Sequence, residues 1–183
     1  IYPASMTKIM TALLTIENLP DLNETITVPE DIFEELTAQD ASVAGFNPYE
    51  QPTVRDLLYG VLLPSGADAC ETLARAVGGS EEGFVAMMNQ KAEELGLTNT
   101  HFENCTGLHN DNHYSTCRDI AVLMSECLKS DTFREIVTRE VYTTEATASH
   151  PEGITLYDTM LHRFTSYEMS TTLENGAVIE GGK

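Results

Sequence analysis

The order of helix-like and strand-like segments is the feature that most constrains how this chain can fold. Apolar residues recur at three- and four-residue spacing in successive segments as far as Val137, and Pro or Gly separates these segments. Strand-like alternation is limited to one short early stretch and to the residues after Glu140. This order predicts an α+β fold in which a helical body is inserted between sheet-forming ends.

The boundaries of these segments follow from capping residues and helix breakers. The predicted helices cover residues 5–18, 29–38, 53–63, 67–79, 80–96, 115–127 and 133–137, and the predicted strands cover residues 25–28, 141–144 and 177–179. Thr53 and Ser80 are expected to cap the helices that they begin. Either Ser115 or Thr116 is expected to cap the helix that ends at Cys127.

The length of 183 residues suits one domain, which we expect to span residues 1–183. The chain begins with Ile1-Tyr2-Pro3, without an initiator Met or a basic leader, and it stops at Lys183, where a strand is starting. A sheet made only of the predicted C-terminal strands would be incomplete. We therefore expect a domain that is truncated at both ends and lacks its terminal strands.

Charge and hydropathy argue against two classes of partner. The chain has 29 acidic and 10 basic residues and a formal net charge of −19, so nucleic-acid backbones and anionic lipid surfaces would repel it. The longest apolar stretch, residues 57–64, is far shorter than the roughly 20 residues that a spanning helix needs. We expect no nucleic-acid partner, and membrane contact only through segments outside this chain.

Ser5 and Lys8 form the first candidate for chemistry. They lie three positions apart at the start of a predicted helix, so their side chains share one face. A serine hydroxyl is a weak nucleophile until a base takes its proton, and a neighbouring lysine can do so when burial keeps its amine neutral. The spacing is common by chance, and taken alone it favours a capping serine and a solvated lysine.

Two further motifs follow along the chain. Ser65 lies in a turn after the apolar Leu62-Leu63-Pro64, where its hydroxyl would stand at the mouth of a cleft, although a serine there is more often a helix cap. Gly181 and Gly182 precede Lys183 on a predicted strand, where glycine lets a ligand approach the backbone closely. A C-terminal loop is the alternative interpretation of this last motif.

Taken in this order, the motifs resemble those of the low-molecular-weight penicillin-binding proteins, the serine-type D-alanyl-D-alanine carboxypeptidases. The likeness covers nearly the whole chain. It is carried by residues 2–12 around Ser5, residues 55–69 around Ser65, Asn104 with residues 106–108, residues 113–116 with Asp119, and Gly182-Lys183. It implies the transpeptidase-like fold shared with serine β-lactamases, an antiparallel sheet packed by helices with a helical subdomain.

The resemblance also implies roles for individual residues. Ser5 would attack the carbonyl between the two terminal D-alanines of a peptidoglycan pentapeptide, and Lys8 would be its general base. Ser65 would pass the proton to the leaving D-alanine, and Lys183 would help to hold the substrate carboxylate. β-Lactam antibiotics would acylate the same serine. The expected location is the extracytoplasmic bacterial envelope, and no cofactor is expected.

The chain departs from the family pattern at two points. Ala67, at a position that would contact substrate, stands where the family usually has Asn, so no side-chain amide is offered there to substrate or to Lys8. Asn104 is our candidate to replace that amide. The Thr-Gly that usually follows the lysine of the third motif is missing after Lys183, and with it one donor of the oxyanion hole. We therefore expect an incomplete or weakened catalyst.

Two other functions stay open at this point. A β-lactamase of the same fold would share the Ser5–Lys8 chemistry but typically needs a positioned Glu for fast deacylation, and no loop resembles one that supplies it. A non-catalytic muropeptide- or penicillin-binding module would fit the alanine at Ala67. The lifetime of a penicilloyl adduct separates the first from a carboxypeptidase, and covalent labelling by penicillin separates the second from both enzymes.

The cysteines and histidines give little support for a metal site. The four cysteines contain no C-x-x-C pair, and His109 and His113 lie in a segment rich in turn residues. We expect no metal, and structural, hydrogen-bonded roles for these histidines. A disulfide between Cys105 and Cys117 would suit an oxidising envelope, and four buried free thiols are the alternative.

Overall fold

The computed structural model describes residues 1–160 with their side chains and the backbone of 170–172 and 178–180. A 3-10 turn, Ala4–Thr7, leads into α1 (Lys8–Asn18), which is followed by α2 (Ile32–Ala38), α3 (Val54–Leu62), α4 (Ala67–Gly78), α5 (Glu81–Glu94), α6 (Cys117–Cys127) and α7 (Asp131–Val137). Among these described helices, none has the length and apolar character needed to cross a membrane.

Two antiparallel strand pairs follow the helices. β1 (Val141–Thr143) pairs with β2 (Thr155–Tyr157), and β3 (Ser170–Thr172) pairs with β4 (Val178–Glu180). The order of helices before strands is the α+β arrangement that the sequence predicts. The strands at 155–157 and 170–172 were not predicted, because three residues are too few for alternation to stand out.

Helix α1 lies at the centre of the helical body and packs against α3, α4, α5, α6 and α7. Its Met10, Leu13 and Leu14 side chains are buried, and full burial of such a side chain contributes about 1.5–3 kcal/mol. Even the polar Thr11 is enclosed, and its Oγ1 donates a hydrogen bond to the carbonyl of Cys105 at 2.7 Å. Because α1 is fixed by this packing, the turn that leads into it is fixed as well.

The predicted caps at the helix ends are confirmed. Thr53 forms a complete capping box with Asp56 at the start of α3, and the Ser80 side chain accepts the Gly83 N–H at the start of α5. Of the two candidates for α6, Thr116 is the capping residue, and it accepts the N–H of Asp119. Capping residues are thus the most reliable local signals in this sequence.

The predicted strand at 25–28 is wrong. Thr25 forms an isolated antiparallel bridge with Thr53, and a few further backbone hydrogen bonds join residues 26–28 to residues 49–52, but no regular strand results. The chain that lies opposite contains Pro48 and Pro52, which have no N–H to donate into a ladder. The sequence of this stretch alternates as a strand does, but the opposite segment lacks N–H groups that a regular ladder would need.

The structure contains no Cys105–Cys117 disulfide; all four cysteines are free. Cys105 is buried, and its Sγ donates to Oε1 of Glu71 at 3.3 Å. Cys117 is exposed at the first residue of α6. The alternative prediction of four buried free thiols is right that all four are free but wrong for one of them, because three are buried and Cys117 is exposed.

Candidate active site

Ser5 and Lys8 meet in the tight turn that leads into α1. The sequence predicts an α-helix from Ser5, but Ala4–Thr7 is a 3-10 turn and α1 begins only at Lys8. In 3-10 geometry residues three apart stand directly above one another, which aligns the two side chains. The Nζ of Lys8 donates to Oγ of Ser5 at 3.3 Å, and Ser5 is exposed while Lys8 is only 5% exposed.

Lys8 has a second and shorter contact with a distant part of the chain. Its Nζ donates to the carbonyl oxygen of Thr106 at 2.7 Å, across 98 positions of sequence. Among the described residues, no carboxylate forms an ion pair with Lys8. The amine is therefore held by one hydroxyl and one carbonyl rather than by a negative charge.

The loop that supplies the Thr106 carbonyl is shaped by Asn104. Oδ1 of Asn104 accepts the N–H of Gly107 at 2.7 Å and the N–H of Thr106 at 3.3 Å, and Nδ2 donates to the carbonyl of Leu108 at 2.9 Å. We expected Asn104 to take the place of an amide beside Lys8, and that expectation is wrong. Its hydrogen bonds go to its own loop, and the loop backbone contacts the lysine.

Gly107 brings this loop against the segment that carries Ser5. Its φ is +85°, and a Cβ built on it would lie 1.9 Å from the carbonyl oxygen of Ala4. Both features require glycine, since an L side chain would be strained and would collide with backbone. Ala4 itself has a left-handed backbone with φ of 50°, directly before Ser5.

A buried histidine ties the same loop to the turn. Nδ1 of His113 accepts the N–H of Glu103 at 3.2 Å, which leaves Nε2 to carry the proton and donate to Oγ1 of Thr7 at 2.8 Å. Burial lowers the pKa of His113 to about 4, so the ring is neutral near pH 7. The structural role expected for His113 is present, and Thr7 is held immediately before Lys8.

Ser65 lies on the other side of the cleft. The chain leaves α3 at Leu62, and Ser65 takes a left-handed conformation with φ of 63°. Its Oγ is buried without a hydrogen-bond partner among the described residues. Ser5, Lys8 and Ser65 line one cavity of about 560 Å³, whose walls are largely apolar side chains from α1, α3, α6 and α7. The structure thus brings together three of the predicted site residues.

Two residues that the sequence did not single out support the Ser65 turn. The carboxylate of Asp68 accepts the backbone N–H groups of residues 44–46 at 2.7–3.0 Å, which fixes this strip of chain against α4. Ser42 lines the cavity, and its carbonyl accepts the N–H of Ala67 at 2.7 Å. Ser42 has no recognisable motif around it. Asp68 follows Ser65 within the quoted segment, but only the fold shows what it binds.

The remaining predicted residues are placed differently. Ala67 is 1% exposed as the first residue of α4, and its contact with the cleft region is through its backbone N–H to Ser42. Lys183 lies outside the described residues. His109 is exposed, with Nε2 3.4 Å from Oδ1 of Asp111.

The comparisons with known proteins identify the family. A family model described as D-alanyl-D-alanine carboxypeptidase matches residues 1–168. The chain belongs to this family. Carboxypeptidase DacF of Bacillus subtilis is 41% identical over 146 residues, which are 79% of this chain and 38% of DacF. A D-alanyl-D-alanine carboxypeptidase of a Streptomyces species is 38% identical over 147 residues, which are 76% of this chain and 50% of that protein.

Solved structures confirm the transpeptidase-like fold. A Streptomyces DD-transpeptidase superposes with a TM-score of 0.80 and 34% identity, covering 97% of this chain and 71% of that chain. Penicillin-binding protein 6B from Escherichia coli gives a TM-score of 0.79 and 26% identity, covering 97% of this chain and 57% of that chain. The chain spans half or less of the length of the two curated relatives named above.

Proposed function

We propose that this domain is a serine DD-peptidase that removes the terminal D-alanine from peptidoglycan stem peptides through an acyl-enzyme on Ser5. The observation that carries the proposal is the hydrogen bond between Lys8 Nζ and Ser5 Oγ, 3.3 Å long, inside a cleft that Ser65 also lines. A nucleophile paired with a buried base, beside a second hydroxyl that no described residue engages, is the minimum that acyl transfer needs.

The chemistry follows from these positions. Lys8 takes the Ser5 proton as Oγ attacks the carbonyl carbon, and the backbone N–H of Ser5 helps to stabilise the oxyanion. The C–N bond breaks, and Ser65 relays a proton to the nitrogen of the departing D-alanine. Water then adds to the ester carbonyl and regenerates Ser5. From the family pattern, Lys183 would bind the substrate carboxylate.

The Thr106 carbonyl supports the role given to Lys8. It holds the amine at 2.7 Å without adding a negative charge, so the lysine is oriented, and none of the described carboxylates forms an ion pair with it. The same cleft would accept β-lactams, which place a strained amide where the peptide carbonyl lies. Peptidoglycan, the substrate proposed here, lies outside the bacterial cytoplasm, and relatives from Bacillus subtilis and Escherichia coli support a bacterial setting, so the location we propose is the extracytoplasmic envelope.

The test is covalent labelling followed by mass spectrometry. Wild-type protein incubated with penicillin is expected to gain the mass of one penicilloyl group, and Ser5→Ala is expected to gain none. Ser125→Ala is the matched control, because Ser125 is an exposed serine on α6 and should label normally. An adduct that persists in Ser5→Ala, or no adduct in a folded wild type, would contradict the assignment of the nucleophile.

Two further measurements separate the neighbouring functions. A carboxypeptidase releases D-alanine from a peptide ending in D-Ala-D-Ala and holds its penicilloyl group for many turnovers of that reaction. Rapid loss of the adduct with no D-alanine release would identify a β-lactamase. Reversible penicillin binding with neither a covalent adduct nor D-alanine release would identify a non-catalytic binding module.

A further inference from the structure

A second cluster of reactive side chains lies behind the loop that contacts Lys8. Glu71 from α4, Glu81 from the first turn of α5 and Cys105 offer two carboxylates and a thiol, with ligand atoms all within 4.8 Å of one another. Sγ of Cys105 donates to Oε1 of Glu71 at 3.3 Å, and the Cys105 N–H donates to Oε1 of Glu81 at 3.2 Å. Within the described part of the chain, no other group of this kind comes together.

Glu71 is poorly satisfied for a buried carboxylate. The residue is 8% exposed, and its Oε2 is buried with no hydrogen-bond partner among the described residues. Within the described residues the cation paired with Glu71 is Arg75, whose Nε lies 3.9 Å from that oxygen and whose Nη1 lies closer, at 2.7 Å, to Oδ2 of Asp31. Burial and the neighbouring Glu81 raise the pKa of Glu71 to about 8. Two carboxylates this close cannot both be ionised without a positive charge between them, so near pH 7 Glu71 holds a proton, whose place a metal ion can take.

A cavity of about 230 Å³ gives access to the cluster. Glu71 and Glu81 line it, and Glu35 and Glu103 add further acidic side chains to its walls. Carboxylates around a concave surface concentrate cations there. The volume leaves room for water beside the cluster, which a metal ion with an incomplete set of protein ligands requires.

We propose that Glu71, Glu81 and Cys105 bind one divalent transition-metal ion, with Zn²⁺ as the best chemical fit. A thiolate together with carboxylates suits Zn²⁺, an ion on the borderline between hard and soft, and does not suit Mg²⁺ or Ca²⁺, which take oxygen ligands. Three protein ligands and a water from the cavity complete a tetrahedral set. Binding forms one metal–sulfur and two metal–oxygen bonds to the protein, the ion keeps one water and releases the rest of its hydration shell, and the thiol proton and any carboxyl proton pass to solvent.

The position of the cluster gives the ion a structural consequence. The Cys105 carbonyl accepts from Thr11 on α1, and the next carbonyl, of Thr106, accepts from Lys8. An ion at Cys105 would join this loop to α4 and α5 through Glu71 and Glu81. It would therefore clamp the backbone that orients the lysine, without taking part in bond breaking.

The test uses Co²⁺ as a spectroscopic probe and Zn²⁺ as its competitor on the purified full-length protein. Thiolate ligation of Co²⁺ produces a near-ultraviolet charge-transfer band, which carboxylates alone do not give. We expect a band that saturates at one Co²⁺ per chain and disappears when one equivalent of Zn²⁺ is added. Zn²⁺ should also raise the melting temperature, because it binds the folded chain and not the dispersed ligands.

Variants locate the site. Cys105→Ser should lose the charge-transfer band, and Glu71→Gln should weaken Co²⁺ binding by more than about tenfold. Cys117→Ser is the matched control, because it removes an exposed cysteine that is not part of the cluster and should keep the band. Glu81→Gln provides a milder variant should circular dichroism show that the Cys105 substitution unfolds the protein.

The outcomes decide the proposal without reference to catalysis. No charge-transfer band at saturating Co²⁺ in folded wild type would overturn it. A band that survives Cys105→Ser or depends on Cys117 would show adventitious thiol binding and would overturn it as well. Since no step of the test depends on Ser5, failure of the metal site would leave the acyl-enzyme proposal intact.

Discussion

Replacing Asn104 by alanine tests whether the loop that contacts Lys8 is a working part of the active site. The Asn104 side chain makes two well-formed hydrogen bonds, with the Gly107 N–H at 2.7 Å and the Leu108 carbonyl at 2.9 Å. It makes two longer ones with the N–H and Oγ1 of Thr106, at 3.3 and 3.2 Å. All four disappear in Asn104→Ala, and nothing else in the side chain reaches Lys8.

The magnitudes follow from these contacts. A hydrogen bond contributes about 0.5–1.5 kcal/mol net, so losing two good and two weak ones should lower the free energy of unfolding by roughly 2–3 kcal/mol. If the freed loop lets the Thr106 carbonyl move away from Lys8, a hydrogen bond to a basic amine is lost as well. That contact is worth about 1.5–3 kcal/mol, or roughly a ten- to hundredfold decrease in acylation rate.

The assay pairs urea unfolding with the rate of β-lactam acylation, measured at a temperature where the variant is fully folded. Asn112→Ala is the matched control, since Asn112 is exposed in the same loop region, and we expect it to change neither quantity appreciably. Asn104→Ala that is destabilised but acylates at the wild-type rate would refute the argument that this loop orients Lys8. Loss of rate without loss of stability would also contradict the proposed mechanism.

Three further predictions concern the surroundings of the site. In a urea titration, Gly107→Ala should lower the free energy of unfolding by roughly 2–5 kcal/mol, because alanine is strained in the left-handed conformation and its Cβ collides with the Ala4 carbonyl. Gly79 is the control: its φ is +75° but the space around it is open, so Gly79→Ala should cost only the strain, about 1–2 kcal/mol. Because the pKa of His113 is about 4 in the folded chain and about 6.5 in the unfolded chain, the unfolded chain takes up a proton at a higher pH than the folded chain does. The free energy of unfolding should therefore fall by up to about 3 kcal/mol as the pH drops from about 6.5 towards 4, and His113→Gln should show a flatter pH dependence over the same range. Ala67→Asn should raise the second-order rate constant of acylation by roughly tenfold or less, because Lys8, the proposed general base, already has a carbonyl acceptor. Stopped-flow acylation with a β-lactam would measure it, and a hundredfold gain would show that this carbonyl is a poor substitute.

The sequence predicted those parts of the fold that depend on neighbouring residues. Thr53, Ser80 and Thr116 cap helices because the acceptor and the N–H that it satisfies lie within three positions of each other. The pairing of Ser5 with Lys8 is local in the same sense. The prediction of a strand at 25–28 failed because a strand there needs a separate segment as its partner, and the prolines of that segment cannot donate all the hydrogen bonds of a regular ladder.

The parts of the site that the sequence did not predict are made by backbone groups or by distant contacts. The acceptor for Lys8 is a main-chain carbonyl, which every residue type carries, so no residue at Thr106 could have signalled it. Asp68 holds three successive N–H groups more than twenty positions away. The approach of Glu71 to Cys105 likewise arises only when α4 packs beside the loop.

The alanine at position 67 is best understood through what Lys8 contacts. An asparagine there could have served two purposes, accepting from the lysine and donating to the substrate. The 2.7 Å contact with the Thr106 carbonyl supplies the first without any side chain. Ala67 is buried, and nothing in its methyl group can supply the second. Alanine in place of asparagine at position 67 should therefore weaken the binding of the substrate carbonyl more than it slows proton transfer from Ser5. In the wild type we expect a raised KM for the peptide and a largely preserved kcat.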